Sequence, residues 1–429
     1  VGLVGHCAIR YYVMGDRAVD ELATDEEIEQ MAQLVDNAVK AGAIGFSTSR
    51  VEGHRIPDGR PVPGTFSSEE ELCRFAEIVR DNGGGLMQTV LGIEGDLVNN
   101  STRVTDLLRK IATVGGNRLM TNTSVAIGWP GRDGAGDGRV LHERFASLAA
   151  DGYDVTGGCI PRGSGYIFGF CNELPIRTTA WHELRKKNFD ERVASLEDGE
   201  FYDRLITEAK EVLDEHKPEG GALNRAKAIF WLGDGLHPDW AADDSKSLHS
   251  LAQEAGEHVI ETFLRISKSS GGKAIFVLRV FNGDLGALTE WMKSEHCLPG
   301  LGDAGAHVGQ VMDATWATHV LGYWTRDAGV YTLPEGIRRM TMQPAHVLGI
   351  TDRGTLEVGR RADVNVIDYD RVGQYQPEYV YDFPNGAGRY TQPGCGFKAT
   401  ICNGEIVVEN DQLTGARPGK ILRHGAAAD

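Results

Sequence analysis

Cys297-Leu298-Pro299-Gly300-Leu301-Gly302-Asp303-Ala304-Gly305-Ala306-His307 is the stretch from which the fold is read. Cys297, Leu298 and Leu301 make an apolar approach, and a carboxylate then stands among small residues. A buried parallel strand whose last side chain does chemistry ends in this way. Gly302, Ala304, Gly305 and Ala306 leave space beside Asp303 and let the backbone turn sharply. A carboxylate so placed can ligate a metal or take a proton from a metal-bound water. The competing reading is that Asp303 caps the next helix.

Working outward, apolar strands and amphipathic helices alternate upstream of this stretch. Residues 2–9 read as a strand with His6 and Arg10 near its end. Thr24-Asp25-Glu26-Glu27 is an N-cap followed by acids, and Ile28, Met31, Leu34, Val35, Ala38 and Val39 repeat at helical spacing behind it. Further strands are expected at 43–50, 86–90, 119–124, 153–159 and 274–281, with helices between them closing on glycines such as Gly42 and Gly83-Gly84-Gly85. Polar residues collect at the C-terminal ends of these strands, the pattern of a parallel barrel or a doubly wound sheet.

Residues 163–244 interrupt the rhythm with charged helices carrying Trp181, Trp231 and Trp240, and read as an insertion over the active face. A helix over 247–267 and the 274–281 strand restore the alternation. Downstream of Asp303, Leu333-Pro334-Glu335-Gly336 opens a helix. Short alternating strands follow at 364–367, 399–402 and 405–408, with the hairpin signal Asn403-Gly404 between the last two. The expected organisation is a barrel over 1–350, with the insertion at about 163–244, and a small β module over 351–429.

The chain has 429 residues, 41% hydrophobic and 24% charged, enough for a large soluble core and an accessory unit. Its net charge of −17 argues against nucleic acid and anionic membranes as partners, and no apolar run reaches membrane-span length. Seven cysteines, an odd count with no CxxC, sit mostly in apolar segments; free thiols and a cytoplasmic setting are expected. There is no G-x-S-x-G, no P-loop and no dinucleotide fingerprint in a strand-turn-helix setting.

Gln343-Pro344-Ala345-His346-Val347-Leu348-Gly349-Ile350 and Gly359-Arg360-Arg361-Ala362-Asp363-Val364-Asn365-Val366-Ile367-Asp368, lying downstream of Asp303-Ala304-Gly305-Ala306-His307, resemble the C-terminal signature of the amidohydrolase superfamily. Gly45-Phe46-Ser47-Thr48-Ser49-Arg50 and Asp58-Gly59-Arg60-Pro61-Val62-Pro63-Gly64-Thr65-Phe66 are similar to the branch of N-acyl-D-amino-acid deacylases, the D-aminoacylase-like proteins. The resemblance implies an α/β fold, a metal-bearing (β/α)8 TIM-type barrel with part of a β-sandwich. It also implies hydrolysis of N-acyl (D-)amino acids or similar small amides.

The family's His-x-His pair occurs nowhere in these 429 residues. The barrel is therefore expected to be incomplete at its N-terminus, with the ligands of a divalent metal, zinc by expectation, partly outside this chain. Gln88-Thr89 and Asn122-Thr123-Ser124 stand where relatives carry metal-binding histidines, and neither pair is zinc-grade. Two upstream strands added to the seven counted from residue 2 onward would make nine, one too many for the barrel. The 274–281 strand, beside the insertion, is the suspect.

Asp303 is the expected metal ligand and catalytic proton acceptor. Gln88, polar in a core strand, should face the barrel mouth. Arg50 and Arg162 both follow strand ends, where a guanidinium can take a substrate carboxylate in bidentate fashion or pair with one of the many acids. His54 in the Pro-rich loop and His307 after the Asp303 turn are further substrate-binding candidates; an exposed loop role and packing beneath the site are their alternatives. His6 and Arg10 suggest a buried structural pairing. The partner is a small molecule, and homo-oligomerisation is left open. A second hypothesis makes the chain a non-catalytic remnant, or a subunit completed by a separate segment carrying the first strands.

Overall fold

The computed structural model describes residues 2–92, 102–116, 118–125, 138–300, 302 and 307–424. Asp303 lies outside the described residues. Among those described, nine strands precede the C-terminal module: β1 (Val4–Gly5), β2 (Gly45–Ser49), β3 (Leu86–Val90), β4 (Arg118–Thr123), β5 (Val155–Cys159), β6 (Ser164–Phe168), β7 (Ile229–Trp231), β8 (Phe276–Phe281) and β9 (Cys297–Pro299). Six of them form one parallel sheet in the order β1-β2-β3-β4-β5-β9. Each of the six lies beside its predecessor in the series. A doubly wound sheet would reverse its order at a switch point, so this winding is that of a (β/α) barrel. Among the described residues β1 and β9 do not pair with each other, and the sheet is an arc.

Local sequence explains the layer of helices behind the arc. In helix Asp25–Lys40 the Thr24 hydroxyl accepts from the Glu27 amide, and the Glu27 carboxylate accepts from the Thr24 amide at 2.9 Å. Its stripe of Met31, Ala32, Val35 and Val39 is buried. Helix Glu69–Asp81 is capped by Ser68 and buries Leu72, Phe75, Ala76 and Val79. These stripes meet Phe46, Met87 and Leu119 from the back of β2, β3 and β4 in one core. Because strand side chains alternate, Ser47, Gln88 and Asn122 then belong to the opposite face. Gly157 of β5 marks a close approach. A Cβ there would lie 2.5 Å from the Trp291 ring, whose indole N–H donates to Thr123 Oγ1 at 2.9 Å.

Two expectations change and one suspicion is met. The first strand is two residues long, and residues 6–14 form helix His6–Met14. Spacing of four sets His6, Arg10 and Met14 on one buried helical face, a pattern that the strand reading of residues 2–9 concealed. His6 and Arg10 both reach Glu71 of helix Glu69–Asp81, which bears out the buried pairing. Second, 274–281 is indeed no stave of the parallel sheet: β8 pairs antiparallel with β6 and β7. Third, the interruption does not end near residue 244. The β6-β8-β7 sheet has its own core, in which Phe168, Trp181, Phe263 and Phe276 pack together, so this layer runs to Phe281. The helix expected over 247–267 is two, Leu248–Ala255 and Val259–Ser269, because Gly256 takes a left-handed conformation at φ 66° and His258 caps the second.

Beyond β9, helices Leu333–Met340 and Met342–Leu348 return to the arc. Arg339, buried, donates to the carbonyls of Ser294 (2.5 Å) and Cys297 (2.9 Å), and Gln343 donates to Cys297 O at 2.9 Å. These bonds hold the entry to β9. The C-terminal strands Val364–Ile367, Phe397–Cys402, Glu405–Glu409 and Gln412–Leu413 form one antiparallel sheet. Its central hairpin turns through Asn403 (φ 49°) and Gly404 (φ 85°), as the Asn-Gly pair requires. No described helix is long and apolar enough to cross a membrane.

All seven cysteines are free, and four of them, Cys73, Cys159, Cys297 and Cys395, are buried. A thiol-reactive probe is expected to label Cys7 first under native conditions. In denaturant without reductant it should count seven thiols; three bridges and one thiol would contradict this arrangement.

Candidate functional site

The C-terminal ends of β2, β3 and β4 carry a row of uncharged polar groups. The parallel register sets Ser47 beside Gln88, and Asn122 lies one position beyond Thr121, the partner of Thr89. The Ser47 hydroxyl donates to Gln88 Oε1 at 2.5 Å. Gln88 Nε2 in turn donates to Asn122 Oδ1 and to Thr89 O, both at 3.2 Å. At the end of β2, Ser49 Oγ and His54 Nδ1 are 2.7 Å apart. His54 is exposed and Gln88 half-buried. Gln88 is thus linked to Ser47 and Asn122, and His54 to Ser49.

Arg50 is buried beside Ser67. It is 4% exposed, and its Nη1 donates to Ser67 O at 2.7 Å and Ser67 Oγ at 2.9 Å. Arg162 is fully buried. Its Nε and Nη2 donate to Asp313 Oδ1 at 3.2 and 3.1 Å, Nη2 also donates to Met312 O, and the guanidinium lies 3.7 Å over the Trp240 ring. Ser164 donates to the other Asp313 oxygen. Burial works against the Arg162 charge and Asp313 offsets it. With its donors so engaged, Arg162 ties β6 to the 312–315 segment and leaves no open fork for a substrate carboxylate. The alternative reading, a pairing with an acid, is the one its geometry fits.

His307 is exposed and stands edge-on to Tyr166, ring centroids 6.5 Å apart. It lines a cavity of about 470 Å³ whose other walls include Lys187, Arg192 and Tyr379. Sequence reasoning missed Lys187 and Arg192. The available signal was Arg185-Lys186-Lys187, three consecutive cations in a chain of net charge −17. Asp303 itself lies outside the described residues.

Among the described residues no group of three or more His, Cys, Asp or Glu side chains comes together to hold a metal ion. Zinc takes His, Cys and carboxylate ligands, whereas the rim presents hydroxyls, carboxamides and one imidazole. The described residues therefore do not fit a zinc centre.

Comparison with known proteins adds the following. The pattern of the amidohydrolase family matches residues 304–408. A stretch of 110 residues, 26% of this chain, is 37% identical to the N-acyl-D-glutamate deacylase of Alcaligenes xylosoxydans xylosoxydans, and spans 20% of that protein. Over 99% of the chain the identity to the D-aminoacylase of the same organism is 23%, across 70% of its length. The crystal structure of D-aminoacylase superposes with a TM-score of 0.57 at 20% identity, covering 98% of this chain and 71% of that one. That of Bordetella bronchiseptica N-acyl-D-glutamate deacylase, complexed with zinc and a phosphonate inhibitor, gives the same figures.

Proposed function

From a chain that carries an amidohydrolase domain and is homologous to D-aminoacylase and N-acyl-D-glutamate deacylase, we propose hydrolysis of the amide bond of N-acyl amino acids, with D substrates preferred. The observation that carries the reading is the family match over 304–408, which begins at the residue after Asp303. Asp303 is the proposed proton acceptor. It takes the proton of the attacking water and returns it to the leaving nitrogen, as a general base turned acid does. Gln88 on β3 and Asn122 on β4 are proposed to offer amide donors and acceptors to an uncharged amide substrate.

A divalent metal, with zinc the expected one, would polarise the carbonyl when bound. The described residues do not supply its ligand set.

The test is release of free amino acid from paired N-acetyl-D and N-acetyl-L substrates, followed by chiral chromatography with and without added zinc. Release from the D series is expected. No release from either series with zinc supplied would remove the reading.

A further inference from the structure

We propose that Ser49 and His54 form a nucleophile and base pair that hydrolyses small uncharged carboxylic esters through an acyl-serine. This activity goes beyond the amide hydrolysis proposed above and stands or falls separately from it. Ser49 Oγ and His54 Nδ1 are 2.7 Å apart, within the reach that proton transfer between nucleophile and base requires.

Ordered backbone carries both groups. Ser49 ends β2 opposite Val90 of β3, and the following amide, Arg50 N, donates to Val90 O at 2.8 Å. The C-terminal end of a parallel strand is where a (β/α) arrangement holds its reactive side chains. His54 N donates to Val51 O at 3.0 Å, and His54 O accepts from Val62 N at 2.9 Å. Farther out, Arg55 and Pro61 form an antiparallel bridge, and Ile56 N donates to Arg60 O at 2.9 Å. These backbone bonds close the 51–62 loop, so the Ser49–His54 bond is not needed to shape it.

Alternation along β2 turns Ser49 to the face of Ser47 and away from the Phe46 core. Its hydroxyl is half-buried and the imidazole is exposed, so a small molecule reaches both. Ser47, Gln88 and Asn122 on that face are uncharged, which suits an uncharged ester.

With its own proton on Nε2, His54 accepts the Ser49 hydroxyl proton at Nδ1 while Oγ bonds to the ester carbonyl carbon. The bond from that carbon to the alcohol oxygen breaks, and the alcohol leaves with the proton from His54. Water then attacks the acyl-serine. His54 takes the water's proton and returns it to Ser49 Oγ, releasing the carboxylic acid. An alkoxide leaves more readily than an amine, so a hydroxyl and an imidazole suffice for esters.

The whole chain, treated with a chelator, is tested with p-nitrophenyl acetate and, separately, with a fluorophosphonate, and peptide mass mapping locates the adducts. Turnover of the ester is expected to persist after chelation, with Ser49 modified by both reagents. Ser49→Ala should lose that adduct and the turnover, and Ser49→Cys should regain an acetyl adduct at the same position. His54→Gln should slow acetylation of Ser49 by about 10²–10⁴-fold, the contribution of a general base. All three variants should melt as the parent does, and the adduct map of the parent decides even where a variant fails to fold. Adducts confined to other nucleophiles, such as the exposed Cys7, would overturn the proposal. So would undiminished acetylation in His54→Gln, or loss of turnover on chelation.

Discussion

Glu71→Gln is expected to destabilise the protein by about 3–5 kcal/mol, the cost of removing one partner from a buried ion pair. The Glu71 side chain is 0% exposed; Oε1 is 2.6 Å from His6 Nε2, and Oε2 accepts from Arg10 Nη1. Arg10 is 1% exposed, and its other bonds go to the carbonyls of Ala18 (3.0 Å) and Glu21 (2.5 Å). Glutamine preserves volume and leaves the Arg10 charge buried against carbonyls alone. The second His6 nitrogen is 2.8 Å from Thr48 Oγ1, so the disturbance reaches the back of β2.

Acid should act in the same way. Burial pushes the Glu71 carboxyl up, but His6 and Arg10 outweigh it and hold it below the usual carboxylate range. A depressed carboxyl contributes its stability above the unfolded value, about 4.3, and loses it as pH falls through the folded one. Urea melts of parent and variant should therefore differ widely at pH 7 and converge at strongly acidic pH. Equal midpoints at pH 7 would contradict the account.

Asp303→Asn is expected to lower the rate of amide hydrolysis by about 10²–10⁴-fold, the usual contribution of a general acid-base group. Asparagine keeps the shape and cannot accept the proton. The flanks of this segment are firmly tied. Gly300 N donates to Cys159 O at 2.9 Å, and His307 O accepts from Gln310 N at 2.7 Å and Val311 N at 2.8 Å. The substitution should therefore change chemistry more than fold. The measurement is kcat on the N-acyl amino acid the parent turns over fastest, with thermal melts of both proteins alongside. Full activity in the variant would reduce Asp303 to a helix cap.

The parallel arc was legible because its strands are apolar runs bounded by capped helices. Gln88 was legible because a carboxamide inside Leu86-Met87-Gln88-Thr89-Val90 has to face the mouth or go unpaired. Residues 6–14 misled because period two and period 3.6 are hard to tell apart in so short a segment. The end of the insertion was missed for another reason. Nothing in residues 274–281 says which sheet a buried strand joins; pairing partners are a tertiary fact. Arg162 shows the same limit, since a cation at a strand end can turn toward ligand or core, and here Asp313 decides.

The antiparallel pairing of Ser164 with Phe281 has a consequence for how the chain assembles. β5 and β9 are neighbours in space yet about 140 residues apart in sequence, and closing so long a loop costs about 1.3 kcal/mol more than closing the roughly 30-residue step from β4 to β5. Once β6 lies against β8, the two ends of that segment are already side by side. The polymer then has only the short tethers 160–163 and 282–296 left to order before β9 can dock. A kinetic phase for β9 docking should thus follow, and depend on, consolidation of the Phe168–Phe276 core. Hydrogen exchange pulsed during refolding would see Phe276 and its neighbours protected before Cys297.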